Sequence, residues 1–184
     1  MTSPTTTSRR APVPRSPLLF LDVDGPLIPF GGSGYREYAH AGLPDDNPLL
    51  ARLDPGLGAR LLALPYEPVW ATTWGEEANE AVAPRIGLPA LPVAVWPEPG
   101  PDEDEDQDDD GGVLHYLHWK TRALLTLAEG RPFAWVDDEI TPADRTWAAA
   151  HHPAPTLLLR VDPRTGLTDG DFAVLAAWAA APHR

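Results

Sequence analysis

Residues 18–27 read Leu-Leu-Phe-Leu-Asp-Val-Asp-Gly-Pro-Leu, an apolar run that ends in two aspartates and a glycine. Large apolar residues between Pro17 and Asp22 are typical of a strand that is buried on both faces in a parallel sheet. Asp22 and Asp24 are two positions apart, so their side chains leave an extended backbone on the same side. Gly25 permits a sharp turn and a close approach of a ligand to the backbone. Because ligands of open α/β sheets bind at the carboxyl ends of the strands, this stretch predicts a site there.

Two other interpretations of this stretch compete with a catalytic one. A calcium loop of the EF-hand type needs a third acid before its glycine and a glutamate at its last position, where this sequence has Ser33. An ordinary turn at the end of a strand stays open, because Asp and Gly are common turn residues. Residues elsewhere in the chain are needed to distinguish an ordinary turn from an active site.

Composition limits the classes of protein to consider. The chain has 184 residues, of which 43% are hydrophobic and 22% charged, as expected for one globular domain. No apolar run approaches the roughly 20 residues of a membrane span. The apolar stretch after Arg9 and Arg10 is interrupted by Asp22, unlike the core of a signal peptide. The absence of cysteine excludes disulfides, thiolate catalysis and cysteine-ligated zinc. We therefore expect a cytoplasmic protein without membrane attachment.

The net charge of −13 is concentrated in one segment. Residues 102–110 hold eight of the 27 acids, and the remaining 19 acids stand against 14 Lys and Arg. Prolines before this run and two glycines after it predict a flexible loop over residues 97–112, either a solvated excursion or a lid over the site. Proteins that bind nucleic acid usually carry a basic face, because phosphate contacts dominate their affinity. The sequence shows no such cluster, so nucleic acid is disfavoured as a partner.

From Pro17 onward, strand and helix patterns alternate. Residues 1–16 are rich in Ser, Thr, Pro and Arg and predict a disordered tail, while residues 17–184 predict a single domain. Residues 28–54 lack periodicity and predict a loop region with a short helix near residues 35–41. The predicted strands cover residues 18–23, 68–72, 93–96, 133–136 and 157–161, and the predicted helices cover residues 57–64, 76–86, 116–129, 141–150 and 168–181. Five strands that alternate with helices predict a doubly wound, mostly parallel α/β sheet.

Further polar residues follow or open the predicted elements at the same edge of the sheet. Thr72 and Thr73 end the second strand, and residues 137–139, Asp-Asp-Glu, follow the fourth. These acids have no capping role, because Thr141 begins the next helix with a capping box. Lys120 lies in the first turns of the helix before the fourth strand. We therefore expect carboxylates, hydroxyls and a lysine to converge on one crevice.

In this order the elements resemble those of the haloacid dehalogenase-like (HAD) hydrolase superfamily. Its first motif, Asp-x-Asp-Gly-x-Leu after an apolar strand, matches residues 22–27. Its second motif, a Thr or Ser that ends the next strand, matches Thr72, with Thr73 as the alternative. Its third motif, a downstream lysine, matches Lys120, and its fourth, a strand that ends in paired acids, matches residues 133–138.

The resemblance covers residues 18–161 and implies a Rossmann-like core. About 45 residues separate the first two motifs, which implies a minimal cap over the site. Pro26 departs from the family pattern, where Thr or Val is frequent. Because proline fixes φ and removes a backbone donor, the turn after Asp24 is expected to differ.

The resemblance further implies a Mg²⁺-dependent phosphatase with an aspartyl-phosphate intermediate. Asp22 would attack the phosphorus and, together with Asp137, would offer side-chain oxygens to Mg²⁺. Asp24 would give its backbone carbonyl to the metal, and its side chain would protonate the leaving oxygen. Asp138 would act one step further out, orienting the lysine or a water.

By the same resemblance, Thr72 or Thr73 and Lys120 would hold the phosphoryl oxygens. The alternative for Lys120 is an ordinary surface lysine on an amphipathic helix. The implied substrate is a phosphorylated small molecule or an exposed phosphoryl group. Two other functions stay open: a catalytically idle HAD-like protein that binds a phosphorylated ligand or a protein partner, and a phosphatase that processes nucleic-acid ends.

Weaker signals come from residues beside these motifs. His115 and His118 share a helix face at i and i+3, but ordinary histidines are commoner than a metal pair there, because no third ligand is near in sequence. Trp74 follows the threonines and is a candidate substrate contact or core residue.

Overall fold

The computed structural model describes residues 15–43, 47–97 and 117–182. The predicted tail over residues 1–16 and the predicted acidic loop over residues 97–112 lie almost wholly outside these residues. The longest helix in the described part of the chain has 11 residues, and none there is long and apolar enough to cross a membrane.

A parallel sheet forms the centre of the molecule. Its strands are β1 (Leu18–Leu21), β2 (Glu67–Trp70), β3 (Phe133–Asp137) and β4 (Thr156–Arg160), in the spatial order β2-β1-β3-β4. All three strand pairs are parallel. Every residue of β1 and β3 is buried, as expected for the central strands of a sheet that is covered on both faces. The predicted α/β class and parallel arrangement are confirmed.

The predicted fifth strand over residues 93–96 is wrong, because the sheet formed by the described residues has four strands and this segment is not one of them. Within this segment, Val93 alone forms an isolated bridge, to Trp70 at the end of β2. Around it, the Trp70 N–H donates to the Pro92 carbonyl and the Ala94 N–H donates to the Trp70 carbonyl, both at 2.8 Å. Pro92 and Pro97 bracket the segment and have no N–H to give, so a longer ladder cannot form there.

Helices cover both faces of the sheet. They are a 3₁₀ helix (Pro48–Arg52), α1 (Leu57–Leu62), a π-helical turn (Ala78–Val82), α2 (Ala83–Ile86), α3 (Lys120–Leu127), α4 (Pro142–His151) and α5 (Asp169–Ala179). The capping boxes predicted at Thr141 and Thr168 are both present, and they begin α4 and α5.

Two helix predictions need correction. Residues 35–41 form no helix, and the 3₁₀ turn comes later, where the Asn47 side chain accepts a bond from the Leu49 N–H at 3.0 Å. The helix predicted over residues 76–86 is a π-helical turn followed by the short α2. Pro84 stands at the start of α2 and cannot donate to the preceding turn, which interrupts a continuous α-helical ladder.

The core lies in two layers on either side of the sheet. Leu19 and Leu21 of β1 pack on one side, with buried residues of α1, α2 and α5. Leu18 and Phe20 pack on the other side, with buried residues of α3 and α4. This alternation follows the period of two along a strand and produces the predicted doubly wound architecture.

Candidate active site

A buried lysine joins two aspartates at the carboxyl edge of the sheet. Asp22 follows β1 and Asp137 ends β3, the neighbouring strand. The Lys120 amine donates to Oδ2 of Asp22 and to Oδ2 of Asp137, each at 2.8 Å. Lys120 is only 3% exposed and Asp137 is fully buried. Lys120 is therefore an interior residue of the crevice, and the surface-lysine alternative is wrong.

Asp144 holds the start of α3 in the position that brings Lys120 into the crevice. Its Oδ1 accepts bonds from the His118 N–H at 2.8 Å and from the Thr121 hydroxyl at 2.6 Å. Its Oδ2 accepts from the Thr141 N–H at 2.7 Å within the capping box of α4. Burial raises the pKa of Asp144, but these hydrogen bonds outweigh burial and lower the pKa below its usual value. The sequence shows the capping box alone, so the link to α3 was missed.

The carboxylates of the crevice carry more negative charge than the lysine neutralises. Burial, assisted by the neighbouring Asp137, raises the pKa of Asp22 to about 7, although Lys120 opposes the shift. Burial and Asp137 also raise the pKa of Asp138. Burial would lower the pKa of Lys120, but Asp22 and Asp137 outweigh that effect and raise it. The crevice is therefore an environment that favours an added cation.

The donor set fits a hard divalent cation. Asp22, Asp137 and Asp138 each offer a carboxylate oxygen, and these oxygens lie within 4.8 Å of one another. Carboxylate oxygens are the ligands that Mg²⁺ prefers. Asp138, expected to act one step further out, belongs to this set by position. Within the described residues its side chain has no hydrogen bond to Lys120, which Asp22 and Asp137 orient instead.

Asp24 has surroundings different from those of Asp22. It is half-buried, and its Oδ2 accepts a bond from the Trp74 indole N–H at 2.9 Å. Its Oδ1 has no hydrogen-bond partner among the described residues. Trp74, a candidate substrate contact by sequence, thus contacts the carboxylate that the HAD resemblance assigns to proton transfer.

The turn after Asp24 requires glycine. Gly25 has φ of +84°, and a Cβ there would lie 2.7 Å from Cγ of Asp138. The turn closes where the Leu27 and Ile28 N–H groups donate to the Val23 carbonyl at 3.0 Å. Pro26 has no N–H to donate within this turn, and its carbonyl accepts a bond from the Leu167 N–H at 2.9 Å, outside the turn.

The two threonines have different positions. The Ala71 N–H donates to the Leu21 carbonyl at 2.9 Å, which extends the β2–β1 pairing beyond Trp70. The next residue, Thr72, is fully buried, and its hydroxyl accepts a long bond of 3.4 Å from the Trp74 N–H. Thr73 is exposed. Of the two, Thr72 lies at the edge that holds Asp22.

A second group of possible ligands lies beside the first. One ligand atom each of His118, Asp137 and Glu139 lie within 4.8 Å of one another, and Nε2 of His118 is 3.1 Å from Oε2 of Glu139. Nδ1 of His118 accepts from the Lys120 N–H at 3.1 Å. No third ligand for His118 is apparent from the sequence, because Glu139 is 21 residues away. His115, the other histidine of the disfavoured metal pair, lies outside the described residues.

Comparison with known families gives one match that covers most of the chain. The family described as "HAD domain in Swiss Army Knife RNA repair proteins" matches residues 18–172, which include every site residue above. No curated protein matches the chain, and no solved structure does. The ordered motifs, the doubly wound parallel sheet and this match agree with one another. The chain therefore belongs to this HAD-domain family and, through it, to the haloacid dehalogenase-like hydrolases.

Proposed function

We propose that the protein is a Mg²⁺-dependent phosphatase that acts through an aspartyl-phosphate. The observation that carries the proposal is a difference between two aspartates. The buried Lys120 joins Asp22 to Asp137, whereas Asp24 makes no bond to Lys120 and accepts a bond from the Trp74 indole instead. Two carboxylates in unlike environments suit two unlike roles, one as nucleophile and one as proton carrier.

Phosphoryl transfer in this site would take two displacements. In the first, an oxygen of Asp22 bonds to phosphorus as the bond from phosphorus to the leaving oxygen breaks, and Asp24 donates a proton to that oxygen. In the second, water attacks the phosphorus and loses a proton to Asp24, and the bond to Asp22 breaks to release phosphate. Lys120 and Thr72 would hold the phosphoryl oxygens, as a point charge and a hydroxyl donor.

The proposed metal site consists of Asp22, Asp137 and Asp138, with the Asp24 carbonyl as a further ligand. When bound, Mg²⁺ would neutralise part of the charge on the phosphoryl oxygens. Without such neutralisation, a carboxylate and a phosphate repel each other. The raised pKa of Asp22 and Asp138 supports this assignment, because it reflects negative charge that a cation would compensate.

A phosphorylated RNA end is the second candidate substrate. It is favoured by the description of the matching family, which names RNA repair proteins. The sequence alone argues the other way, because it shows no basic cluster and has a net charge of −13. Eight of the acids that produce this charge lie in residues 102–110, between the second motif at Thr72 and the third at Lys120.

The test is phosphate release by the full chain from an aryl phosphate and from 5′- and 3′-phosphorylated RNA, with Mg²⁺ and with a chelator. We expect turnover that requires Mg²⁺ and that Asp22→Asn abolishes. Binding of phosphorylated ligands without turnover of any substrate would favour the idle binding protein instead. Turnover that Asp22→Asn leaves intact would contradict the aspartyl-phosphate.

A further inference from the structure

A small cavity lined by arginines lies beside the active-site turn. Its volume is about 190 Å³, below the roughly 300–1,000 Å³ typical of sites that enclose a whole small molecule. Aromatic rings of Tyr35 and Tyr38 also line it. We call it the arginine pocket after its four cationic residues, Arg36, Arg52, Arg60 and Arg164.

The arginine pocket and the candidate active site share one turn of the chain. Pro26 lines the pocket and is two residues after Asp24, so their Cα atoms lie within about 8 Å of each other. Asp138 packs against Gly25 on one side of the turn. On the other side, the Leu167 N–H donates to the Pro26 carbonyl at 2.9 Å, which fixes the loop that carries Arg164.

Two of the arginines are held by the protein. Arg52 donates to the Pro29 carbonyl at 2.9 Å. Arg60 forms a 2.6 Å ion pair with Asp169 and stacks over the Phe172 ring. These contacts make Arg52 and Arg60 fixed walls of the pocket.

The other two arginines are exposed. The Arg36 guanidinium lies over the Tyr38 ring at 4.8 Å. The Arg164 side chain has no hydrogen bond or ion pair within the described residues. Asp54 is the one acidic residue among the described residues that line the pocket, so this lining has an excess of positive charge in a chain of net charge −13. Guanidinium groups in such a concave site suit a phosphate, which they bind through paired hydrogen bonds.

We propose that the arginine pocket binds a second phosphate of the substrate while the terminal phosphate lies at Asp22. The enzyme would then select a phosphorylated polynucleotide end over a mononucleotide, because only the former carries a phosphodiester next to the terminal group. This inference rests on the proposed phosphatase function. It adds to that function a second phosphate site, whose four arginines lie outside the HAD motifs.

The first experiment measures binding apart from turnover. Full-length protein with Asp22→Asn is titrated with a fluorescent RNA oligonucleotide that carries a terminal phosphate, and the change in anisotropy is followed at several salt concentrations. Adding Arg164→Ala or Arg36→Ala should weaken binding on the order of tenfold. Each should also reduce the slope of log K against log salt by about 1. Arg122→Ala, a matched change at an exposed arginine of α3 outside the pocket, should leave affinity and slope unchanged.

The second experiment shows that the variants still fold and act. Hydrolysis of an aryl phosphate, which has no second phosphate, should keep its kcat and KM in Arg164→Ala and Arg36→Ala with Asp22 intact. If the unmodified chain hydrolyses no phosphate ester, the phosphatase proposal fails while the binding titration still decides the pocket. Pocket variants that bind the RNA with unchanged affinity and salt slope would overturn the inference.

Discussion

Asp22 and Asp24 are two residues apart, yet the protein gives them different surroundings. Asp22 is buried and bonded to Lys120, and its pKa is raised to about 7. Asp24 is half-buried, and one of its oxygens is held by the Trp74 indole. We therefore expect Trp74 to act as a positioning residue, because its indole N–H binds one oxygen of the Asp24 carboxylate at 2.9 Å.

The role of Asp24 predicts a loss of rate without a loss of folding. Asp24→Asn should lower kcat on the order of 10²–10⁴-fold, because the amide can neither give nor accept the proton. Trp74→Phe keeps the ring and removes only the N–H, so it should lower kcat by a smaller factor, roughly tenfold or less. Steady-state kinetics on an aryl phosphate measure both. An unchanged kcat in Asp24→Asn would remove the residue from the acid/base role.

The raised pKa of Asp22 predicts how metal binding depends on pH. A carboxyl group that titrates near 7 holds its proton below that pH, and the proton competes with the cation. The affinity for Mg²⁺ should therefore rise as the pH increases through about 7 and level off above it. Calorimetric titration across this range measures the affinity and the proton released. An affinity that does not change with pH would contradict a metal ligand that titrates near 7.

At the scale of elements, one carboxylate connects α3 and α4. Asp144 completes the capping box of α4 and also accepts bonds from His118 and Thr121 at the start of α3. The other capping box offers a matched control, because Asp171 fills the same role in α5 without such additional bonds. Asp144→Ala removes the acceptor that donors of His118, Thr121 and Thr141 share in a buried place. Asp171→Ala removes only the acceptor of the Thr168 donors, and these lie near solvent.

We expect Asp144→Ala to lower the free energy of unfolding by about 3 kcal/mol and Asp171→Ala by about 1 kcal/mol. Because the pKa of Asp144 is lowered on folding, its contribution is present above the ordinary value of 3.8 and is lost as the pH falls through the lower folded value. Urea unfolding at neutral and acidic pH measures both effects. Equal losses in the two variants would contradict the special role of Asp144.

Most elements could be predicted because their signals are local. The apolar run of β1, the strand before Asp137 and the capping boxes at Thr141 and Thr168 each lie within a few residues of sequence. The prediction of a strand over residues 93–96 was wrong because it relied on the apolar pattern alone. The prolines on either side of this segment have no backbone N–H to donate to a ladder. Local pattern thus located β1, β2, β3 and β4, and it failed at the segment that forms only a bridge beside β2.

The candidate site likewise contains residues that a local sequence signal marks and contacts that no local signal marks. Asp22, Asp24 and Asp137 follow strands directly, so the topology alone brings them to one edge. The bond between Asp24 and Trp74 and the link from Asp144 to Thr121 join residues 50 and 23 positions apart. The arginine pocket collects its cations from separate segments. No spacing rule in the sequence marks such contacts, because they depend on how the layers pack.

At the scale of the whole molecule, a local basic pocket exists within a strongly acidic chain. Long-range repulsion between the chain and a polyanion acts over about one Debye length, roughly 10 Å at 0.1 M salt. The acidic run over residues 102–110 supplies eight negative charges to that repulsion. If the proposed pocket binds a phosphorylated polynucleotide, its affinity would be the difference between attraction in the arginine pocket and repulsion by the rest of the chain.

Replacing every Asp and Glu of residues 102–110 by Asn and Gln tests this balance. Binding of the phosphorylated RNA should tighten at low salt, and the difference from the unmodified chain should vanish near 1 M salt, where the Debye length is about 3 Å. Anisotropy titrations at the two salt concentrations measure it. Binding that weakens after the replacement would show that these acids assist the substrate.

Two contacts lie at the amino edge of the sheet, opposite the candidate active site. The Ser16 carbonyl accepts a bond from Arg131 just before β3, and Trp178 near the end of α5 stacks on Tyr66 just before β2. The described chain thus enters and leaves at the amino edge, with the strands between it and the crevice. A fluorescent label attached at Ser16 or Trp178 would therefore lie across the sheet from the candidate active site, where it would report on binding without blocking the crevice.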